Sequence, residues 1–286
     1  MQEDIKLDNL IRMSHEIGDK IAYVQGGGGN TSVKLDAEKM AIKASGISLK
    51  DMSIEQGFSI VNYQKVNKYH CSPDSSEDRY SKSIASFAIK NNAKPSIETG
   101  FHALLGKYVI HSHSVFLNVL LCAKEGKDLM LEYFPESIWV DYCTPGKDLT
   151  LAIKKSLKGR EDPFEGLIFL ESHGVIVSSR TSRRCLEIHN ECNSKVKTLH
   201  NLKDFNILNE VNFAKPKNFL FPDQVIYMSS DQLKAKTKAS VETISTAEYL
   251  HSSMSDQMLT PRYLSQENVD ILNNMQSEKY RKRLSK

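Results

Sequence analysis

The chain has 286 residues, 40% of them hydrophobic and 26% charged, with a formal net charge of +3. That balance fits a folded protein with an ordinary core. The small net charge does not imply nucleic-acid binding, and no uninterrupted apolar run approaches the ~20 residues that span a membrane. The best stretch, Val109 to Ala123, is broken by His111, His113, two serines and Asn118. Cys71, Cys122, Cys143, Cys185 and Cys192 form no C-x-x-C pair. Their odd number and loose spacing fit a reduced, cytoplasmic compartment. The acidic N-terminus, Met1-Gln2-Glu3-Asp4, lacks the profile of a signal peptide.

An amphipathic helix is expected over residues 4–18, ended by Gly18. The short apolar run Ile21 to Val24 leads into the loop Gly26-Gly27-Gly28-Gly29-Asn30. Strands follow at Thr31 to Leu35 and Met40 to Lys43, then a turn at Ser45-Gly46 and a strand over Phe58 to Tyr63. Residues 64–78 read as a polar surface excursion. Helices are expected at 79–91 and 97–106, a strand from Lys107 to His113 and a helix from Val115 to Lys124. Further on, Ile138 to Asp141 is strand-like and Lys147 to Leu157 helical. Leu167 to Leu170 and Val175 to Val177 are strands flanking His173, and a long helix runs from Thr181 to Leu202.

The character of the sequence changes near residue 203. The run Phe219 to Tyr227 reads as a strand, and residues 231–286 as polar and mostly helical. The basic cluster Lys279-Tyr280-Arg281-Lys282-Arg283 with Lys286 reads as a solvated helix end. The glycine loop opens onto a strand, so it is neither a P-loop nor a dinucleotide fingerprint. The mixture of strands and helices predicts an α/β layered domain over residues 1–205. Residues 206–286 are too poor in large apolar side chains for a core of their own, so they should pack on that domain or on a neighbouring subunit. Phe213, Phe219, Leu220, Phe221, Val225 and Ile226 would be their anchors, with a largely solvated helix at 266–285 beyond.

The chemistry concentrates around His111 and His113. Residues i and i+2 of a strand share one face, so two imidazoles can grip one cation. His173, in the turn Glu171-Ser172-His173-Gly174, completes a three-histidine set with an open position, as a catalytic metal requires. Glu98 precedes the histidine strand, and the glycine loop offers an anion cradle.

In order, the motifs are Gly29-Asn30-Thr31-Ser32, Lys43-Ala44-Ser45-Gly46, Pro95-Ser96-Ile97-Glu98 with His102, His111-Ser112-His113, Tyr142-Cys143-Thr144-Pro145-Gly146 and Ser172-His173-Gly174. This series, over about residues 5–205, resembles the class II aldolase/adducin family. It looks most like the aldolase domain of bifunctional rhamnulose-phosphate aldolase/dehydrogenases. The resemblance implies a three-layer α/β/α fold with a mainly antiparallel sheet. It implies Zn2+, or another divalent cation such as Mn2+, Co2+ or Ni2+, on His111, His113 and His173. It implies Glu98 as acid/base, Tyr142 shaping the site, and phosphate contacts from Gly29, Asn30, Ser45, Gly46 and Ser96. The implied reaction forms or cleaves a C–C bond in a sugar phosphate through a metal-stabilised enediolate, in a homotetramer.

Two departures stand out. Ile97 replaces the second of two serines that many family members carry before the glutamate. The tail is also longer than in compact aldolases, where a C-terminal tyrosine acts, and Tyr227 and Tyr249 are the candidates here. Two alternatives stay open: a sugar-phosphate epimerase or dehydratase with the same metal site, and a non-catalytic adducin-like interaction domain.

Overall fold

The computed structural model describes residues 2–69, 76–90 and 93–284. The elements run α1 (Gln2–Gly18), β1 (Asn30–Lys34), β2 (Lys39–Lys43), β3 (Phe58–Asn62), α2 (Tyr63–Tyr69), α3 (Glu77–Ser86), β4 (Ala88–Lys90), α4 (Thr99–Leu104) and β5 (Tyr108–Ser112). Then come α5 (Val115–Leu121), α6 (Gly126–Tyr133), β6 (Ile138–Val140), α7 (Lys147–Ser156), β7 (Gly166–Leu170), β8 (Gly174–Ser179) and α8 (Ser182–Leu199). The C-terminal region holds α9 (Pro222–Tyr227), α10 (Ser230–Ala235), α11 (Lys238–Asp256), α12 (Gln266–Asn274) and α13 (Gln276–Leu284).

The strands form one sheet in the order β4-β3-β2-β1-β5-β8-β7-β6. Every pairing is antiparallel except β6 with β7. Side-chain alternation buries both faces. Tyr108, Ile110, Val175 and Val177 point to one side, where α1, α5 and α8 supply Leu10, Met13, Leu117, Leu120, Cys185 and Cys192. Val109, Ile168 and Ile176 point to the other, under Phe101 of α4 and Leu149 and Ile153 of α7. The result is the three-layer α/β/α arrangement with a mainly antiparallel sheet.

The structure departs from the sequence reading in several places. The polar stretch after residue 63 begins as helix α2, with Tyr63 and Val66 buried; Cys71 and the rest of 70–75 lie outside the described residues. The helix expected over 79–91 stops at Ser86, and Ala88–Lys90 becomes an edge strand on β3. Helix α6 was not anticipated. The run Phe219 to Tyr227 holds a helix, not a strand. Pro222 sits in its first turn, where its fixed φ suits a helix start, and Asp223 follows near the positive end.

The C-terminal helices pack on the layered region. Leu220, Phe221, Ala247, Leu250 and Met254 join the core beneath α5. A second cluster gathers Phe219, Val225, Ile226, Tyr227, Val269, Leu272 and Met275 around Ile97. The 266–285 stretch is therefore not largely solvated, since Ser277 and Glu278 are buried as well. Among the described residues no helix is long and apolar enough to cross a membrane. Cys122, Cys143, Cys185 and Cys192 are free thiols.

Candidate metal centre

Strand β5 lies between β1 and β8, with His111 paired to Asn30 on one side and Ile176 on the other. His111 is in phase with Val109, so it faces α4, and its ring meets Phe101 edge-on at 5.7 Å. His113 keeps that phase just past the strand end. The third histidine arrives through the β7–β8 turn. There Ser172 adopts a left-handed φ of 52° and the chain reverses so that Leu170 pairs with Gly174. The three rings sit 4.9, 4.9 and 5.0 Å apart between centroids, and their candidate ligand atoms all lie within 4.8 Å of one another.

Outer hydrogen bonds set which nitrogen faces inward. His111 Nδ1 donates to the Val175 carbonyl at 3.1 Å. His113 Nδ1 donates to Asp223 Oδ2 at 3.0 Å. With each Nδ1 engaged on the outside, the two Nε2 atoms turn inward and lie 3.1 Å apart. Burial pushes the His111 pKa down to about 4 and the His173 pKa to about 3, so both imidazoles are neutral at pH 7, the form that ligates a metal.

Glu98 occupies the N-cap position of α4 but makes no cap hydrogen bond. Its side chain turns to the histidines instead, with Oε2 at 3.5 Å from His111 Nε2 and Oε1 at 3.5 Å from His173 Nε2. A relay holds it. Ser32 donates to His102 Nδ1 at 2.7 Å, His102 Nε2 donates to Asn30 Oδ1, and Asn30 Nδ2 donates to Glu98 Oε2 at 2.6 Å. Burial works to raise the Glu98 pKa, but the three histidines and the Asn30 amide outweigh it and keep the carboxyl below its ordinary range. Oε1 is buried and has no hydrogen-bond partner. An unpartnered carboxylate oxygen beside three convergent imidazole nitrogens is costly in a protein interior. A divalent cation on the three nitrogens would also balance the charge of the carboxylate beside them, so the residues present fit such an ion.

The centre forms the floor of a narrow cleft. Gly29, Asn30, Ser45, Gly46 and Ser96 line it together with Glu98, His113 and His173. Gly29 has φ +69°, and a Cβ there would come within 2.9 Å of the His111 carbonyl. The glycine is thus what lets the loop pass this close to β5. Tyr142 is not among the lining residues; its hydroxyl is buried without a hydrogen-bond partner, and Pro145 of the same segment forms the wall. Tyr249 donates to the Lys203 carbonyl and packs on Phe116 and Phe205, in another part of the core. Tyr227 lies beneath the glycine loop, with its hydroxyl near Gly27.

Three charged residues in this cleft were missed by the sequence reading. Lys43 is 3% exposed, and its ammonium group makes a long hydrogen bond of 3.4 Å to the Ala44 carbonyl. Burial, helped by the nearby Arg281 charge, lowers its pKa to about 7 against the pull of Glu98 and Asp223. Asp223 and Arg281 come from α9 and α13. Arg281 is therefore not on a solvated helix end; its side chain is 16% exposed and paired to Asp223 at 2.9 Å. The Ile97 side chain lines the cleft but belongs mostly to the apolar cluster that docks the C-terminal helices.

The sequence over residues 8–197 matches the model of the "Class II Aldolase and Adducin N-terminal domain". The chain belongs to the class II aldolase and adducin family. Solved structures similar to it include the N-terminal class II aldolase domain of a conserved protein from Thermoplasma acidophilum. That domain is 23% identical with a TM-score of 0.60, and the match covers 68% of this chain and 92% of the other. YgbL from Klebsiella pneumoniae, described as a candidate aldolase/epimerase/decarboxylase, is 18% identical with a TM-score of 0.53, covering 82% and 99%. YgbL from Escherichia coli gives 19%, 0.52, and 72% and 93%. No curated protein matches the sequence. At these identities the structural likeness supports the class II aldolase fold, and the chemistry must be argued from the site.

Proposed function

We propose that the protein is a divalent-metal-dependent aldolase that cleaves or forms a carbon–carbon bond in a phosphorylated ketose. One observation carries this reading. Three buried imidazole nitrogens and the unpartnered Oε1 of Glu98 converge at the floor of a cleft that also holds a buried ammonium group. His111, His113 and His173 would hold the ion. Zinc is the ion we favour, because three imidazoles with a fourth position left open are a donor set of catalytic zinc sites. A cation there supplies a Lewis acid for the negative charge that develops on the ketose oxygens as the bond parts.

Glu98 handles the proton on carbon. In synthesis its carboxylate takes a proton from the carbon beside the ketone; in cleavage it returns one to that carbon after the bond breaks. Oε1 is the atom for this transfer, because Oε2 is held by Asn30. The Ser32–His102–Asn30 relay fixes the carboxylate's orientation and keeps it from swinging away from the substrate carbon.

Lys43, Ser45, Ser96 and the backbone N–H groups of Gly29 and Gly46 hold the phosphate. Asn30 is shared between this subsite and Glu98, so it links anion binding to the placement of the base. Ile97 and the helices docked on it close one side of the cleft against water. Incubation with a panel of ketose 1-phosphates, followed by separation of the products, tests the reading. Release of dihydroxyacetone phosphate and an aldehyde is the expected result. A product with an unchanged carbon count would overturn it in favour of epimerisation or dehydration.

A further inference from the structure

The charged residues contributed by the C-terminal helices are joined to one of the three histidines and not to the others. Asp223 Oδ2 accepts from His113 Nδ1 at 3.0 Å, and its Oδ1 accepts from Arg281 Nη2 at 2.9 Å. The other arm of Arg281, Nη1, lies 3.2 and 3.0 Å from the two oxygens of Glu278. The guanidinium also sits over the Tyr227 ring at 5.6 Å. Asp223 and Glu278 are both buried, at 4% and 1% exposure. A buried carboxylate is stable only when its lone pairs are used, and here both oxygens of Asp223 are.

The glycine loop makes room for this contact. A Cβ on Gly28 would fall 2.5 Å from His113 Nδ1 and 2.7 Å from Asp223 Oδ2. Those are the two atoms that share the hydrogen bond. Gly28 has no positive φ that would itself call for glycine. A side chain at this position would collide with the His113–Asp223 pair.

We propose that Asp223 is a positioning residue for His113, and that Arg281, braced by Glu278, holds Asp223 in place. The C-terminal extension thereby becomes a working part of the metal centre. The hydrogen bond keeps the proton on Nδ1, turns Nε2 toward His111 and His173, and stops the ring from rotating. Arg281 acts one step further out, fixing the carboxylate and balancing its charge. His111 gets the equivalent support from the Val175 carbonyl inside the sheet. His113, beyond the strand end, has no sheet neighbour on that side and takes its support from α9. The proposal rests on the reading of the three histidines as a metal site.

Cobalt(II) titration of the full chain, read by the visible absorption of the bound ion and by affinity, tests it. Wild type should bind one ion. Asp223→Ala should bind it about 10- to 100-fold more weakly, the usual cost of losing such an outer partner. Asp223→Asn, whose amide oxygen can still accept from Nδ1, should recover part of the loss. Gly28→Ala should weaken binding from the opposite side while leaving α9 and α13 intact. Unchanged affinity and spectrum in Asp223→Ala, with binding abolished in His111→Ala, would overturn the positioning role and leave the metal site standing. No binding by wild type would overturn both. Should Asp223→Ala fail to fold, the zinc-loaded wild type decides by nitrogen NMR of its histidines. A slowly exchanging proton on His113 Nδ1 supports the proposal, and a rapidly exchanging one overturns it.

Discussion

Replacing Lys43 by Met isolates the charge of the cleft from its shape. The Met side chain keeps most of the buried aliphatic stem and removes the ammonium group. Because that group is 3% exposed and bonded only weakly to the Ala44 carbonyl, the folded protein loses little by the change. Relief from burying a cation should leave the variant at least as stable as wild type. A bound phosphate loses a charge-assisted hydrogen bond worth about 1.5–3 kcal/mol, which is roughly a 10- to 150-fold rise in Kd. Lys43 also sets a pH dependence. Its pKa is lowered to about 7, so the ammonium form that attracts an anion is lost as pH rises through that value. A phosphate ester is already mostly dianionic there, with its second pKa near ~6, so the decline above pH 7 reports the lysine. Calorimetric titration with a phosphate monoester at several pH values measures both effects. Lys43→Met should bind weakly and lose the dependence above pH 7. Equal affinity in the two proteins would refute the placement of the phosphate beside Lys43.

His111→Ala, His113→Ala and His173→Ala should each remove most bound divalent cation while the thermal unfolding of the chelated protein stays cooperative; full metal content in all three would dismiss the ligand set. Ile97→Ala should cost roughly 2–5 kcal/mol in urea denaturation, the range for emptying a buried aliphatic site, because Ile97 packs among Phe219, Val225 and Leu272. A change within about 0.5 kcal/mol would mean that the C-terminal helices do not depend on this contact. His189 is buried against Ser112, Asn193 and Tyr23, and burial, with a contribution from Lys20, lowers its pKa from 6.5 to about 3. The unfolded chain binds the extra proton between these values. The stability His189 contributes is therefore complete above about pH 6.5 and is lost as pH falls toward 3, at about 1.4 kcal/mol per pH unit. His189→Gln should make that acid slope shallower, and an identical slope would contradict a neutral buried imidazole.

The parts of this molecule that the sequence discloses are those set by local rules. The H-x-H pair is visible in the sequence because a strand alternates its side chains; His111 lies on β5 against Phe101 of α4, and His113 follows just past the strand end. The glycine loop, Ser45-Gly46 and Ser96-Ile97-Glu98 are short segments whose motifs also mark turns and a helix start, and the fold brings them to one cleft. The misreadings have tertiary causes. Phe219 to Tyr227 has strand-like residues, yet packing against α11 and α12 and the proline at the first turn make it helical. Lys43 gives no local sign of lining the cleft, and Arg281 looks like part of a solvated basic helix terminus. Both line the cleft, where α9 and α13 bring Asp223 and Arg281. Asp223 lies 110 residues from its partner His113, and no local pattern joins them. Ile97, which stands where many family members carry a second serine, has a packing role, and Lys43 adds a cation to the same cleft.

The central claim is that Glu98 moves a proton on carbon within a three-histidine metal centre. Solvent deuterium exchange into dihydroxyacetone phosphate measures that step without requiring the aldehyde partner. The zinc-loaded wild type should incorporate one deuterium at the carbon bearing the free hydroxyl. Chelation should abolish the exchange, and Glu98→Gln, with its metal retained, should slow it by about 10²- to 10⁴-fold. No exchange by the metal-loaded wild type, or undiminished exchange by Glu98→Gln, would contradict the account.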